Sequence, residues 1–151
     1  MSASAIDTIM QAIHDLSVKY DADVTPYVRD YDEAETTLAP ETAPTRIITI
    51  IPDLSGDTNF VGIGTTVTVR WTILDRLWLK PVAAGRGIKD ESHHVVAYAA
   101  AYANAVKSKR APSGQSHFAG MTFSSGIQTW GETEWFCVDI YLTVEEVITG
   151  A

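Results

Sequence analysis

The sequence predicts a single α+β domain over residues 1–151, in which two helices pack on an antiparallel sheet of about four strands. Two segments have the three- and four-residue apolar spacing of amphipathic helices, whereas others alternate apolar and polar residues as strands do. A length of 151 residues is typical of one domain. With 46% hydrophobic and 20% charged residues, the composition is that of a globular chain rather than a disordered one.

The first predicted elements are a helix over 4–20 and a long irregular connection over about 21–45. Apolar residues recur at helical spacing in the first segment, and they are Ile6, Ile9, Met10, Ile13 and Leu16. The connection contains three prolines, which oppose regular structure. Loops of this length inside a compact domain are uncommon and often functional.

A projecting β-hairpin is predicted next. Residues 46–51 are rich in β-branched side chains and end at Pro52, and residues 65–78 alternate until the pattern breaks near Leu74. A turn cluster that includes Asn59 separates the two segments, and glycines widen the tip.

The second half of the chain predicts a helix over 90–109 and then two strands. Tyr98 and Tyr102 share one face of this alanine-rich helix, and we expect that face to pack on the sheet. Strands follow over 118–124 and 134–145, with residues 126–131 as their connection. Both faces of the last strand are apolar, so a second layer or another subunit is expected to cover the face formed by Trp135, Cys137, Asp139, Tyr141 and Thr143.

No segment carries a recognisable catalytic motif. The Gly-Ile-Gly at 62–64 lacks a third glycine and precedes a strand, which is the wrong context for a dinucleotide site. His93 and His94 are adjacent on a helix, where neighbouring residues point about 100° apart, so they are not spaced to chelate a metal. Cys137 is the single cysteine and is expected to be a buried thiol. We therefore expect no catalytic residue, no cofactor and no metal.

The net charge of −8 is divided unevenly along the chain. Residues 1–45 have a net charge of −7, whereas the remainder has a net charge of −1. Five bases cluster between positions 70 and 89, and they are Arg70, Arg76, Lys80, Arg86 and Lys89. An acidic chain argues against free-standing nucleic-acid binding. The sequence has no run of 18 apolar residues, so we expect no membrane partner. The separated charges suit copies of the chain that dock acid to base, with two solvated loops as the alternative.

The order of the elements resembles that of the tail terminator proteins of long-tailed bacteriophages and their counterparts in gene transfer agents. That order is a helix, a long irregular segment, a hairpin, a helix and two strands, and residues 67–75 and 92–107 are most similar to the family pattern. The resemblance implies a virion protein of the tail or neck, assembled in the host cytoplasm. It implies that six copies form a ring that stops tail-tube polymerisation and joins the tail to the head connector.

The same resemblance implies the partners of the chain. They are other copies of itself, the tail tube protein and the head–tail connector or stopper proteins, while DNA passes through the lumen without sequence-specific binding. We expect apolar anchors of the subunit interface at Trp71 and Trp135. Further interface contacts are expected at Arg70, Arg76, Arg86, Lys89 and Tyr141.

Two alternatives stay open. One is another head–tail joining protein or a tail tube subunit, which would stack on itself without limit. The other is a small α+β enzyme or ligand-binding dimer, which would have an enclosed pocket with convergent polar groups.

Overall fold

A computed structural model describes residues 5–20, 24–28, 44–50, 58–60, 66–82 and 92–149. These ranges contain the helices α1 (Ile6–His14) and α2 (Ser92–Lys109) and the strands β1 (Tyr27–Val28), β2 (Thr45–Ile50), β3 (Thr58–Phe60), β4 (Thr66–Pro81), β5 (Ser116–Trp130) and β6 (Thr133–Thr149). The α+β class and the N-terminal helix are confirmed, but the described strands number six rather than about four.

The strands form one sheet in the order β1-β2-β4-β6-β5, with β3 also paired to β4. The long strands β4 and β6 form its antiparallel centre, from Thr66 opposite Thr149 to Pro81 opposite Trp135. Every other pair is antiparallel as predicted, except that the two-residue strand β1 runs parallel to β2. Since β5 ends the order, it forms one edge of the sheet among the strands that the structure describes.

The predicted hairpin is confirmed in its pairing, with Thr45 opposite Trp78 and Ile50 opposite Ile73. The turn cluster assigned around Asn59 is wrong in part, because Asn59 belongs to β3 and pairs with Thr68. At 16 residues, β4 is longer than β2 can cover, so β3 pairs with the part that β2 leaves open.

The second hairpin is longer than predicted, and the connection assigned to 126–131 is wrong for residues 126–130. Strand β5 continues to Trp130, which pairs with Thr133 across a tight turn. Gly126 suggested a break in the sequence but lies within the strand opposite Cys137. Gly131 in the turn has a φ of +62°, a left-handed conformation that glycine adopts without steric cost.

The helix α2 is confirmed over nearly its predicted range, and Tyr98 and Tyr102 are fully buried on its inner face. By contrast, α1 ends at His14 rather than near residue 20. Beyond it, buried Leu16 and Val18 alternate with exposed residues, which is the two-residue period of extended chain.

Both helices pack on one face of the sheet, which we call the helix face. Its core joins apolar residues of α1 and α2 to those of the central strands, including Ile9, Ile13, Ile73, Leu77, Val138, Ile140 and Leu142. Burial of this apolar surface is the main stabilising term of the fold.

A charged pair is enclosed within this core. The Arg46 guanidinium donates from Nε and Nη2 to Asp75 Oδ2, at 3.0 and 2.6 Å, and both side chains are almost fully buried. Arg46 also donates to the carbonyls of Ile13 and Leu16, at 3.0 and 2.7 Å. The Tyr102 hydroxyl donates to Asp75 Oδ2 at 2.6 Å. This network therefore links the end of α1, the strands β2 and β4, and α2.

Candidate subunit interface

The outer side of β5 is the largest unsatisfied edge of the described sheet. No described strand pairs with it along its 15 residues. Near its start the Phe118 N–H donates to the Arg110 carbonyl at 3.0 Å, and the register shifts between Phe118 and Gly120. From Phe118 to Trp130 the strand contains no charged residue and no proline. Natural sheets usually protect such edges with charges, prolines or a covering element.

Two large apolar side chains stand exposed beside this edge. Phe123 is 49% exposed and Ile127 is 52% exposed. They project from the helix face, because they lie opposite Ile140 and Phe136, which belong to the core. The far half of β5 therefore offers a backbone edge and two apolar side chains together.

The opposite face of the sheet carries cross-strand ion pairs. Arg76 binds both carboxylate oxygens of Asp139, at 2.7 and 3.1 Å, and lies 5.6 Å from the centre of the Trp78 ring. The hydrogen bond to Asp139 raises the pKa of Arg76. The Tyr141 hydroxyl, half-buried on the same face, donates to Asp139 Oδ2 at 3.4 Å. Arg76 and Tyr141, both predicted at the interface, thus share a partner within their own chain.

A second ion-pair group lies farther along the same face. Arg70 Nε donates to Glu145 Oε1 at 3.2 Å, and this arginine lowers the pKa of Glu145 through its hydrogen bonds. His117 Nε2 lies 3.3 Å from the other oxygen of Glu145. Strand pairing explains both groups, since Arg70 is opposite Glu145 and Arg76 is opposite Asp139.

The two predicted tryptophan anchors differ in their surroundings. Trp135 is 2% exposed and packs in a cluster with Ile47, Trp78 and Cys137, so it offers almost no surface to a second subunit. Trp71 is half-buried against the core, and its indole N–H donates to Glu146 Oε1 at 3.2 Å. Of the two tryptophans, only Trp71 has exposed surface that a second subunit could contact.

Two further interface candidates, Arg86 and Lys89, lie outside the described residues, as do positions 21–23 and 29–43 of the acidic segment. The contact predicted between the segments 21–45 and 70–89 therefore stays a prediction.

A groove of about 360 Å³ lies where α2 ends and β5 begins. Its apolar lining is Val106 and Phe118, and its basic lining is Lys107, Arg110 and His117. Arg110 has a φ of 52°, and its backbone is held by bonds to the Val106 carbonyl and the Phe118 N–H, both at 3.0 Å. The groove combines apolar walls with positive charge.

The residues considered for chemistry are placed as follows. Cys137 is buried as predicted, and burial raises the pKa of its thiol to about 12. The rings of His93 and His94 lie 3.9 Å apart between centroids, which is closer than the backbone angle between neighbouring helix residues suggests. Within the described ranges, no group of three potential metal ligands occurs.

Sequence reasoning missed the exposed pair on β5 and the groove at the end of α2. The sequence did contain a signal for the exposed pair on β5, namely the run without charged residues from Phe118 to Trp130. Groove residues from α2 and β5 come together only in the folded chain.

Among the residues described, no helix is long and apolar enough to cross a membrane. The chain matches no protein-family model, and no curated protein sequence is significantly similar to it.

Proposed function

We propose that the chain is a structural virion protein of the tail terminator type, which assembles with copies of itself into a ring. The observation that carries the proposal is the β5 edge. It is 15 residues long, unpaired among the described strands, and carries the exposed side chains of Phe123 and Ile127. An edge of this kind is a template for pairing with another chain.

A closed ring suits this edge better than an isolated chain does. In a ring, each copy uses two different surfaces, and closure leaves no copy with an unused contact. The uncharged run of β5 also introduces no like-charge repulsion when another chain approaches.

The terminator role is supported by the order of the elements. The described chain runs α1, β1, β2, β3, β4, α2, β5 and β6. Apart from the short strands β1 and β3, this is a helix, a hairpin, a helix and two strands, which is the order that resembles the terminator family. The ring would end the tail tube, contact the tube protein on one side and the connector or stopper on the other, and let DNA pass. A net charge of −8 favours passage of DNA over retention, because DNA is itself anionic.

Electron microscopy of the purified chain tests this function. We expect single closed rings of one copy number. Long tubes would instead identify a tube subunit and contradict the terminator role. Isolated chains or two-fold dimers at all concentrations would contradict ring assembly and favour the alternative of a small α+β enzyme or binding protein.

A further inference from the structure

Three cations at the end of α2 have side chains that form no ion pair with any described residue. They are Lys107, Lys109 and Arg110, all exposed. The arginines of the sheet differ from them, since Arg70 and Arg76 are held by Glu145 and Asp139. The charge of Lys109 acts on nearby Asp15, so the basic charge that is open to a partner at the end of α2 is that of Lys107 and Arg110.

Two of these cations line the groove between α2 and β5. Lys107 and Arg110 flank a surface formed by Val106, which is 8% exposed, and half-buried Phe118. Glu145, the acidic partner of His117 of the groove, is already paired with Arg70 as well. A ligand that fits would combine several carboxylates with an apolar side chain.

One segment of the chain has this chemistry. Residues 29–41 contain five acids and a single base, together with the apolar side chains of Tyr31 and Leu38. They follow Val28 of β1 and precede β2, so both ends are anchored at the β1 side of the sheet. The groove lies beside β5, at the opposite edge.

We propose that this groove binds the acidic segment 29–41 of a second copy of the chain. The inference rests on the proposed ring, because surfaces at opposite edges of one subunit meet when copies join head to tail. Four strand spacings of about 4.8 Å separate the two edges. The acidic segment of one copy would thereby meet the basic groove of the next.

The contribution of this contact is to association rate and register. Exposed ion pairs contribute little to stability, so the unfolding free energy of the single chain is expected to stay unchanged. Assembly is expected to slow as salt rises, since the Debye length falls from about 10 Å at 0.1 M to about 3 Å at 1 M.

A charge-swap experiment with the full chain tests the proposal. The first variant reverses the groove (Lys107→Glu with Arg110→Glu), and the second reverses the segment (Asp30→Lys, Asp32→Lys and Glu33→Lys). Each alone is expected to assemble at least tenfold more slowly than the parent. An equal mixture should recover parental assembly, because every junction of an alternating ring then joins opposite charges.

Controls separate the groove from general charge effects. Lys19→Glu changes the charge of an exposed lysine elsewhere and should assemble like the parent. Unaffected assembly of both reversed variants would overturn the proposal. Slow assembly of each variant that the mixture does not restore would also overturn the proposal. That result is expected if the segment binds the groove of its own chain, because mixing two variants then creates no new pair of opposite charges.

A peptide measurement keeps this test independent of the ring. A fluorescent peptide of residues 29–41 should bind the full chain that carries Asp30→Lys, Asp32→Lys and Glu33→Lys, because no acidic segment of another copy then fills its groove. Adding Lys107→Glu with Arg110→Glu should weaken binding at least tenfold, whereas adding Lys19→Glu should not. Absence of rings together with this pattern would contradict the proposed function but support the groove. No peptide binding at low salt would overturn the groove.

Discussion

At the scale of residues, the Arg46–Asp75 pair determines how the helices are joined to the sheet. Burial alone lowers the pKa of Arg46, but the negative charge of Asp75 more than offsets this, and the pKa lies above its ordinary value. The guanidinium therefore stays charged inside the core and is balanced by one carboxylate, two carbonyls and a tyrosine network. Removing one partner of such a pair is costly because the other charge stays buried.

Asp75→Ala should therefore destabilise the chain by about 3–5 kcal/mol, which urea unfolding measures. Asp139→Ala is the matched control. It should cost clearly less, because the Arg76 side chain is 23% exposed and can be solvated, whereas Arg46 is 1% exposed. Equal losses in the two variants would contradict this account of the core.

The two buried tyrosines should respond differently to loss of the hydroxyl. The Tyr98 hydroxyl is buried and has no hydrogen-bond partner among the described residues, whereas the Tyr102 hydroxyl donates to Asp75. At neutral pH, Tyr98→Phe should be neutral or slightly stabilising, and Tyr102→Phe should cost about 1.5–3 kcal/mol. Unfolding free energies measured side by side check the difference, and the reverse order would refute the assigned network.

Alkaline pH should destabilise the fold through the same tyrosines. Burial raises the pKa of both Tyr98 and Tyr102 above the ordinary value of 10.0, so above about pH 10 the unfolded chain loses protons that the folded chain keeps. Each tyrosine then lowers the unfolding free energy by about 1.4 kcal/mol per pH unit. Unfolding measured between pH 9 and 11 should show a shallower decline for Tyr98→Phe, and parallel curves would contradict this.

At the scale of elements, the periodic spacing of apolar residues predicted the helices and strands whose positions are set by burial of one face. The tyrosine face of α2 and the alternation of β4 and β6 located those elements, because burial on one face imposes the period. The end of α1 and the extension of β5 were missed, since tertiary packing overrides local preference at Leu16 and at Gly126. The partners of Arg70 and Arg76 could not be predicted, because they are 75 and 63 residues away.

Two glycines of the second hairpin provide a test of its boundaries. An added Cβ would meet no atom within 4 Å at either Gly126 or Gly131. The two positions therefore differ only in the backbone conformation that a new side chain would have to adopt. Gly126→Thr should stabilise the chain by up to about 1 kcal/mol, because threonine favours strands. Gly131→Thr should destabilise it by about 1–2 kcal/mol, because the turn needs a positive φ. Thermal unfolding of both variants measures this, and destabilisation at Gly126 would argue against an extended β5.

At the scale of the whole molecule, the described chain is asymmetric. One sheet edge is formed by short strands, and the other by the long neutral strand β5, with basic side chains at the nearby end of α2. Such unlike surfaces favour head-to-tail contacts, and these close into a ring when the rotation between copies allows it. The order of elements, through its resemblance to tail terminators, predicts such a ring, whereas the contact residues proposed on β5 emerge only from the folded arrangement.

The mass of the purified chain, measured by sedimentation across a dilution series, tests this account most directly. It predicts one closed assembly at a fixed multiple of 16.4 kDa. Phe123→Lys with Ile127→Lys should break the assembly into folded single chains, while Val96→Lys, at a side chain that is 60% exposed on α2, should leave it intact. A monomer in the parent chain, or an assembly unchanged by the β5 variant, would contradict the claim that β5 joins copies into a ring.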